Sequence, residues 1–140
     1  MSQACGVGAA AYGHCLCGAV QYTVAAPFEY AGYCHCPRCR LATGSACSVF
    51  AAARAAALRI DAGAELLTIY PRNPDNLSHF CSRCGTLLYA VVREGEYAHV
   101  QMGTLVADPG IAPQFHLFAA QKAPWHAIGD QLPQFAGFAP

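Results

Sequence analysis

Seven of the nine cysteines stand in three short groups, and this spacing is typical of metal binding. The groups are Cys15-Leu16-Cys17, Cys34-His35-Cys36-Pro37-Arg38-Cys39 and Cys81-Ser82-Arg83-Cys84. A tetrahedral zinc ion takes sulfur ligands at about 2.3 Å, and two cysteines of one short turn reach it easily. Glycine follows two of the groups, at Gly18 and Gly85, and its tolerance of positive φ lets the chain turn back toward the sulfurs.

A disulfide framework is the alternative explanation of these cysteines, and it would need an oxidising compartment. The segment from Met1 to Gly13 lacks the basic start and the strong apolar stretch of a secretory signal. An odd number of cysteines also fits complete pairing badly. In a reducing cytoplasm, cysteines with this spacing more often bind a metal or carry out redox chemistry. We therefore expect a cytoplasmic protein with zinc as its cofactor.

Seven thiolates divide most simply into a set of four and a set of three. A closed structural zinc site takes four protein ligands, whereas a catalytic zinc site keeps one position open. The two sets would be the cysteine trio Cys34, Cys36 and Cys39 and the cysteine quartet Cys15, Cys17, Cys81 and Cys84. Spacing alone leaves two alternatives open. One is a single metal with an empty or oxidised trio, and the other is a site in which Cys34 or Cys36 joins Cys81 and Cys84.

The segments around the cysteines favour short β-strands joined by turns. Val20, Tyr22 and Val24 alternate with other residues, which is the period-two pattern of a strand with one buried face. Further strands are predicted at residues 28–33, 46–53, 66–70, 86–92, 97–102 and 115–118. Pro71 and the turn at residues 73–76 should end the strand that begins at residue 66.

Two segments bear on where helix can form. Residues 51–58 are rich in alanine, a strong helix former, but they lack a polar cap and an apolar stripe. We favour a strand that ends in a loop there. A turn or two of helix is predicted at residues 38–42, directly after Pro37.

Residues 121–140 are rich in proline and glycine and should form an extended segment wrapped on the domain.

The length of 140 residues is that of one domain. We expect a flexible tail at residues 1–12 and a single zinc-binding β domain at residues 13–140. Eight basic residues balance eight acidic residues and form no basic run, which argues against nucleic-acid binding. No apolar stretch approaches the ~20 residues of a membrane span, so we expect no membrane partner. The scarcity of charge favours an apolar face covered by a second subunit, as in a homodimer.

The sequence resembles the glutathione-dependent formaldehyde-activating enzyme family, to which centromere protein V also belongs. The motifs that carry the resemblance are Gly13-His14-Cys15-Leu16-Cys17-Gly18-Ala19-Val20, Cys34-His35-Cys36-Pro37-Arg38-Cys39-Arg40 with Gly44-Ser45, and His79-Phe80-Cys81-Ser82-Arg83-Cys84-Gly85-Thr86. The similarity extends to Gly103-Thr104-Leu105 and Ala123-Pro124-Trp125. The chain is more similar to the short members of the family than to the longer members to which the activity is assigned.

This resemblance implies a fold, two metal sites and an activity. The fold would be a mainly β zinc fold related to methionine sulfoxide reductase B and Rab-associated zinc proteins. A structural zinc would lie on the quartet and a second zinc on the trio, which would act in catalysis through the bound ion. The activity would join a small thiol, glutathione, to an aldehyde, formaldehyde, to give S-hydroxymethylglutathione. That reaction is formally a carbon–sulfur lyase reaction run backwards.

Three classes of function are consistent with these residues. The first is a zinc-dependent enzyme that acts on a small thiol and an aldehyde. The second is a non-enzymatic, zinc-stabilised β module that binds a ligand through the rim of the trio. The third is a metal buffer or redox sensor, which is disfavoured because the chain is large enough for a substantial core.

Three other polar residues of the central cysteine group are candidates for a role in the site. Arg38 and Arg40 can bind a substrate carboxylate, as arginine does with two parallel hydrogen bonds, although solvation at the surface is the more common role. His35 lies between two cysteines, and we expect a solvated loop histidine there rather than a group that contacts substrate.

Overall fold

The structure is a computed structural model that describes residues 10–140, and β-strands form most of its regular elements. The strands are β1 (Ala11–His14), β2 (Gln21–Val24), β3 (Tyr30–Cys34), β4 (Ser48–Arg54), β5 (Leu58–Ala62), β6 (Leu67–Asn73), β7 (Asn76–Cys81), β8 (Leu87–Val92), β9 (Tyr97–Gln101) and β10 (His116–Leu117). One α-helix, α1, spans Pro37–Thr43 of the described chain, and short 3₁₀ turns lie at Ala55–Ala57, Ala64–Leu66, Met102–Thr104 and Ala119–Gln121. The prediction of a mainly β domain with few helical turns is confirmed.

The strands form two sheets. The larger has seven strands in the order β10-β3-β4-β9-β8-β7-β6, and the smaller has the order β1-β2-β5. Neighbouring strands of the larger sheet are antiparallel except β10, which pairs in parallel with β3. The parallel pairing sets His116 opposite Tyr33 and Leu117 opposite Cys34. The segment that carries β10 therefore lies beside β3, the strand that leads into the central cysteine group.

The main core contains residues of both sheets. Tyr22, Val20 and Val24 are buried, as their alternation predicts, and they belong to one cluster with Leu88 and Val100 of the larger sheet. Cys15 and Cys81 are fully buried members of the same cluster. Because apolar surface removed from water stabilises by about 25 cal/mol per Å², this contact between sheets is the main apolar contribution to the fold.

Strand β4 explains the alanine-rich segment. Ala51, Ala52 and Ala53 are all fully buried, since β4 lies between β3 and β9, and its small side chains are covered on both faces. The strand ends at Arg54 and is followed by the 3₁₀ turn Ala55–Ala57. Burial on both faces thus overrides the helical propensity of alanine, and the predicted strand is confirmed.

Three strands are additional to the prediction, and one is longer. Strands β1, β5 and β7 fall in segments for which no strand was predicted. Strand β6 continues through Pro71 to Asn73, so the prediction that Pro71 ends it is wrong. The reason is that β6 is the outermost strand of its sheet, with an irregular register between Pro71 and Asn73, and an edge position tolerates the missing N–H of proline.

The C-terminal segment runs along β10. The backbone N–H of His116 donates to the carbonyl of Pro133 at 2.9 Å, and the N–H of Phe135 donates to the carbonyl of His116 at 2.9 Å. The N–H of Phe118 donates to the carbonyl of Gly137 at 3.0 Å. These bonds tie the wrapped segment to the edge of the larger sheet, as the sequence predicts.

The start of the described chain is already ordered in a strand. Strand β1 begins at Ala11, two residues before the predicted start of the domain at residue 13. The rest of the predicted tail, residues 1–9 with Cys5, lies outside the described residues. Within residues 10–140, each helix is too short or too polar to cross a bilayer.

His99 should make the stability of the protein depend on pH. It stacks on Phe50 with ring centroids 4.5 Å apart, and its Nε2 lies 2.9 Å from the hydroxyl of Tyr30. Burial, with a smaller contribution from Arg93, lowers the pKa of His99 to about 4. Between pH 4 and 6.5 the unfolded state therefore binds a proton that the folded state does not. Stability is then greatest above pH 6.5 and falls as the pH decreases.

We predict that lowering the pH from 7 to 5 reduces the free energy of unfolding of the wild type by about 2 kcal/mol through the titration of His99. His99→Gln keeps a polar group near Tyr30 but removes the titration, so its free energy of unfolding should fall less over the same interval. Urea denaturation of both proteins at the two pH values measures the difference. An equal fall in both proteins would show that His99 contributes nothing to the pH dependence.

Candidate metal centres

The cysteine quartet lies where two turns meet. Cys15 and Cys17 belong to the turn between β1 and β2, whereas Cys81 ends β7 and Cys84 belongs to the turn that follows it. The four sulfurs all lie within 4.8 Å of one another, with Cys15 Sγ 3.6 Å from Cys17 Sγ and Cys17 Sγ 3.9 Å from Cys81 Sγ. Residues 64 positions apart in the sequence thus share one site.

These distances fit a tetrahedral metal ion and not disulfides. Ligands at about 2.3 Å from a tetrahedral zinc ion lie about 3.8 Å from one another, which is close to the separations in the quartet. A disulfide would bring two sulfurs to about 2.05 Å. All cysteines of the described chain are free thiols. The quartet could therefore hold a metal ion.

The backbone of both turns is arranged around the sulfurs. The N–H of Val20 donates to Cys15 Sγ at 3.3 Å, and the N–H of Arg83 donates to Cys81 Sγ at 3.4 Å. Gly18 and Gly85 close the two turns at φ of 79° and 81°, where a side chain would be strained. Amide donors stabilise thiolates, the form of cysteine that binds metals.

Thr86 joins the two turns. Its hydroxyl accepts a hydrogen bond from the N–H of Leu16 at 3.0 Å and lies 3.3 Å from Cys84 Sγ. The hydrogen bond with this hydroxyl is the main cause that lowers the pKa of Cys84 to about 5. This hydrogen bond favours the thiolate form of Cys84, which is the form that binds a metal.

The cysteine trio lies at the junction of β3 and α1. Cys34 ends β3, Cys36 precedes the helix and Cys39 lies in its first turn. Cys36 caps the helix, because its backbone is extended and its Sγ accepts the N–H of Cys39 at 3.3 Å. Pro37 then takes the first helical position, which suits its fixed φ. The helix at the predicted residues 38–42 is confirmed, one residue longer at each end.

The three sulfurs of the trio also lie within 4.8 Å of one another. Cys34 is buried, and Cys36 and Cys39 are partly exposed. The hydrogen bond with Cys34 lowers the pKa of Cys36, and the same contact raises the pKa of Cys34. Three sulfur donors would leave one position of a tetrahedral ion to another molecule.

The structure separates the seven cysteines into four and three. Neither Cys34 nor Cys36 joins Cys81 and Cys84, so the mixed grouping does not occur. Cys47 belongs to neither set and lines a separate cavity near the end of α1. Cys15 and Cys81 anchor the quartet in the core, while Cys17 is exposed and Cys84 is half-buried; in the trio, Cys34 is buried and the other two are half-buried.

His35 is not a solvated loop residue, and that prediction is wrong. Its side chain is fully buried, and its Nε2 lies 2.8 Å from Nδ1 of His116. His116, itself 3% exposed, places its Nε2 3.0 Å from a carboxylate oxygen of Asp130. The three side chains form a hydrogen-bonded chain, the His35–His116–Asp130 chain, that leads from the trio to the surface. Burial, with the neighbouring His116, lowers the pKa of His35.

Sequence reasoning missed this chain for a physical reason. The contact of His35 with His116 depends on the parallel pairing of β10 with β3, and Asp130 reaches it only through the wrapped C-terminal segment. The one local signal is His116 itself, a polar residue between Phe115 and Leu117, since a buried histidine needs a partner.

A cavity of about 420 Å³ lies between α1 and the β6–β7 hairpin. Arg38, Arg72, Tyr70 and Ser78 line it together with apolar residues. The guanidinium of Arg72 donates to Cys39 Sγ at 3.6 Å, so this cavity adjoins the trio. Arg72 is another residue that the sequence did not single out, and nothing in its local sequence indicates the contact.

The two candidate arginines have different environments. Arg38 lines the cavity and is exposed. Arg40 donates to the backbone carbonyls of His35 and Gln121, both at 3.4 Å, and so braces the trio loop against the C-terminal segment. Of the two, Arg38 is the one placed to meet a bound molecule.

Fold and site together define a mainly β domain with two cysteine clusters that could each hold a metal ion. Residues 10–121 match the sequence model of the glutathione-dependent formaldehyde-activating enzyme family. The chain belongs to this family.

A Halomonas elongata protein, provisionally named a glutathione-dependent formaldehyde-activating enzyme, is 32% identical over 136 residues, covering 90% of this chain and 87% of its own. The crystal structure of a Rhodobacter sphaeroides protein is similar, with a TM-score of 0.56 and 31% sequence identity. That match covers 73% of this chain and 97% of the other.

We predict that His116→Phe lowers the free energy of unfolding by ~1–3 kcal/mol, because it leaves Nε2 of the buried His35 without a partner. Asp130→Asn is the matched control at the exposed end of the chain. It keeps an oxygen that accepts from His116, so it should cost less than about 1 kcal/mol. Urea denaturation measures both, and equal losses would show that the buried contact has no special weight.

Proposed function

We propose that this protein is a zinc-dependent enzyme that adds a small thiol, glutathione or a similar molecule, to an aldehyde such as formaldehyde. In class it would be a carbon–sulfur lyase acting in the direction of synthesis. Family membership supports the proposal. The observation that carries it is the trio, whose three sulfurs could bind a metal with one position left for substrate, next to a cavity of small-molecule size.

Zinc suits both clusters because all their donors are thiols, which select zinc over magnesium or calcium. The quartet would hold a closed structural ion, and the trio would hold the second. Bound at the trio, zinc would lower the pKa of a substrate thiol and favour its reactive thiolate form. A reducing compartment such as the cytoplasm would keep the cysteines in the form that this requires.

The proposed reaction balances without an oxidant or a reductant. The sulfur of the thiol forms a bond to the aldehyde carbon, and the π electron pair of the carbonyl moves to its oxygen. That oxygen takes up the proton that the thiol has lost. With formaldehyde, the product is the S-hydroxymethyl derivative of the thiol, a hemithioacetal. The reverse reaction breaks the same carbon–sulfur bond.

The surrounding residues would support this chemistry by charge and by position. The guanidinium of Arg72 lies against Cys39 Sγ and offsets the negative charge that three thiolates bring together. The N–H of Cys39 does the same for Cys36. Arg40 and the His35–His116–Asp130 chain hold the trio loop on the C-terminal segment, which keeps the sulfurs in one arrangement.

Substitution of one trio cysteine should separate catalysis from folding. We expect wild type to contain two zinc ions per chain and to accelerate exchange between formaldehyde and glutathione, measured by NMR exchange spectroscopy against the spontaneous rate. Cys36→Ser should retain one zinc, remain folded and return exchange to the spontaneous rate. Cys47→Ser, a thiol outside both clusters, should retain both ions.

The proposal fails if Cys36→Ser accelerates exchange as much as wild type does. One tight zinc, three trio cysteines open to alkylation and no acceleration by wild type would instead identify a non-enzymatic, zinc-stabilised binding module.

The quartet should contribute far more to stability than the trio. Structural zinc contributes an apparent ~10–16 kcal/mol, against a net stability of ~5–15 kcal/mol for a typical domain. In reducing buffer with zinc, Cys81→Ser should therefore lose ~5 kcal/mol or more, or fail to fold. Cys36→Ser should retain most of the wild-type value. Urea denaturation followed by circular dichroism tests the order, and a more stable Cys81→Ser protein would contradict it.

A further inference from the structure

The cavity beside the trio carries an unusual charge. Arg38 comes from α1 and Arg72 from β6, and both face the cavity, whereas no aspartate or glutamate lines it. Within residues 10–140, the arginine ion pairs involve Arg54 and Arg59, so neither cavity arginine has an acidic partner. Two positive side chains on a small concave surface favour an anionic ligand.

Neighbouring groups hold Arg72 in a fixed orientation. Its Nε donates to the hydroxyl of Ser78 at 2.9 Å, and its Nη1 donates to Cys39 Sγ at 3.6 Å. Ser78 is buried and donates in turn to Asn76 at 2.9 Å. Arg38 donates through Nη2 to the backbone carbonyl of Arg72, which holds the Arg38 side chain beside β6. In the described chain, Nη2 of Arg72 has no hydrogen-bond partner and stays available to a ligand.

The walls of the cavity suit a short carbon chain. Phe80 and Leu87 line it with apolar surface, and Tyr70 and Leu41, which are 61% and 85% exposed, form its rim. The volume of about 420 Å³ falls within the range of small-molecule sites. A ligand with methylene or amide links between charged groups would contact both the apolar wall and the arginines.

We propose that Arg38 and Arg72 bind a carboxylate of the thiol substrate, so that the enzyme selects thiols that carry a carboxylate. The inference rests on the proposed function, since it takes the trio as the place where the thiol sulfur binds. Arg72 contacts both the trio and the cavity, so one small molecule can place its sulfur at the first and its carboxylate at the second. Guanidinium groups bind carboxylates through two parallel hydrogen bonds, which neutral thiols cannot offer.

The kinetic test compares glutathione with its diethyl ester, in which both carboxylates are blocked, and with 2-mercaptoethanol, each with formaldehyde. Arg38→Gln should raise KM for glutathione about tenfold or more with little change in kcat, because a charge-assisted contact of the bound substrate is lost. Its KM values for the ester and for 2-mercaptoethanol should change less than twofold. Arg59→Gln removes the same charge from the smaller sheet, where Arg59 pairs with Asp61 at 2.6 Å, and should behave as wild type.

A binding test separates this inference from the proposed function. S-methylglutathione keeps the carboxylates but has no free thiol, so its binding does not depend on catalysis. Isothermal titration calorimetry should show binding to wild type that weakens about tenfold in Arg38→Gln and, more strongly, in Arg72→Gln.

Each outcome decides one of the two proposals. Loss of S-methylglutathione affinity in Arg38→Gln supports the carboxylate site even if no thiol is turned over, in which case the proposed function alone fails. Equal affinity of wild type and Arg38→Gln, or no binding to wild type, overturns the carboxylate site. Equal KM values of wild type for thiols with and without a carboxylate would also overturn the carboxylate site. If wild type still accelerates the exchange in that case, the proposed function stands.

Discussion

The convergence of four sulfurs on one point is the constraint on which the rest of this structure depends. The quartet joins the turn between β1 and β2 of the smaller sheet to the turn between β7 and β8 of the larger sheet. Bringing residues 64 positions apart together costs loop entropy, and four thiolates at this distance repel one another. A bound cation would turn that repulsion into attraction, and Cys15 and Cys81 would carry the effect into the core.

The trio depends on a different set of contacts. Its loop is anchored on β3, runs directly into α1 and is covered from behind by β10 and the C-terminal segment. Within this loop the thiols of Cys36 and Cys39 stay partly exposed, whereas the imidazole of His35 is buried against His116. One short stretch thus places partly exposed sulfur next to Arg72 of the cavity and a polar anchor in the interior.

In the proposed function, the two clusters would divide stability and chemistry between them. Cys15 and Cys81 of the quartet are buried and accept hydrogen bonds from backbone amides, whereas Cys39 of the trio lies against Arg72 at the edge of a cavity with two arginines. Under that proposal, the trio would exchange what it binds without unfolding the domain.

Local features of this protein could be predicted from its sequence alone. The helix after Pro37, the alternation of Val20, Tyr22 and Val24 and the grouping of cysteines within single turns depend on residues a few positions apart, where backbone sterics and side-chain period act directly. Only the tertiary structure decided that Arg72 contacts Cys39 and that Asp130 reaches His35 through His116. Those contacts depend on the hairpin register, the parallel pairing of β10 and the path of the C-terminal segment. These are settled by packing among distant segments, and no short stretch of sequence encodes them.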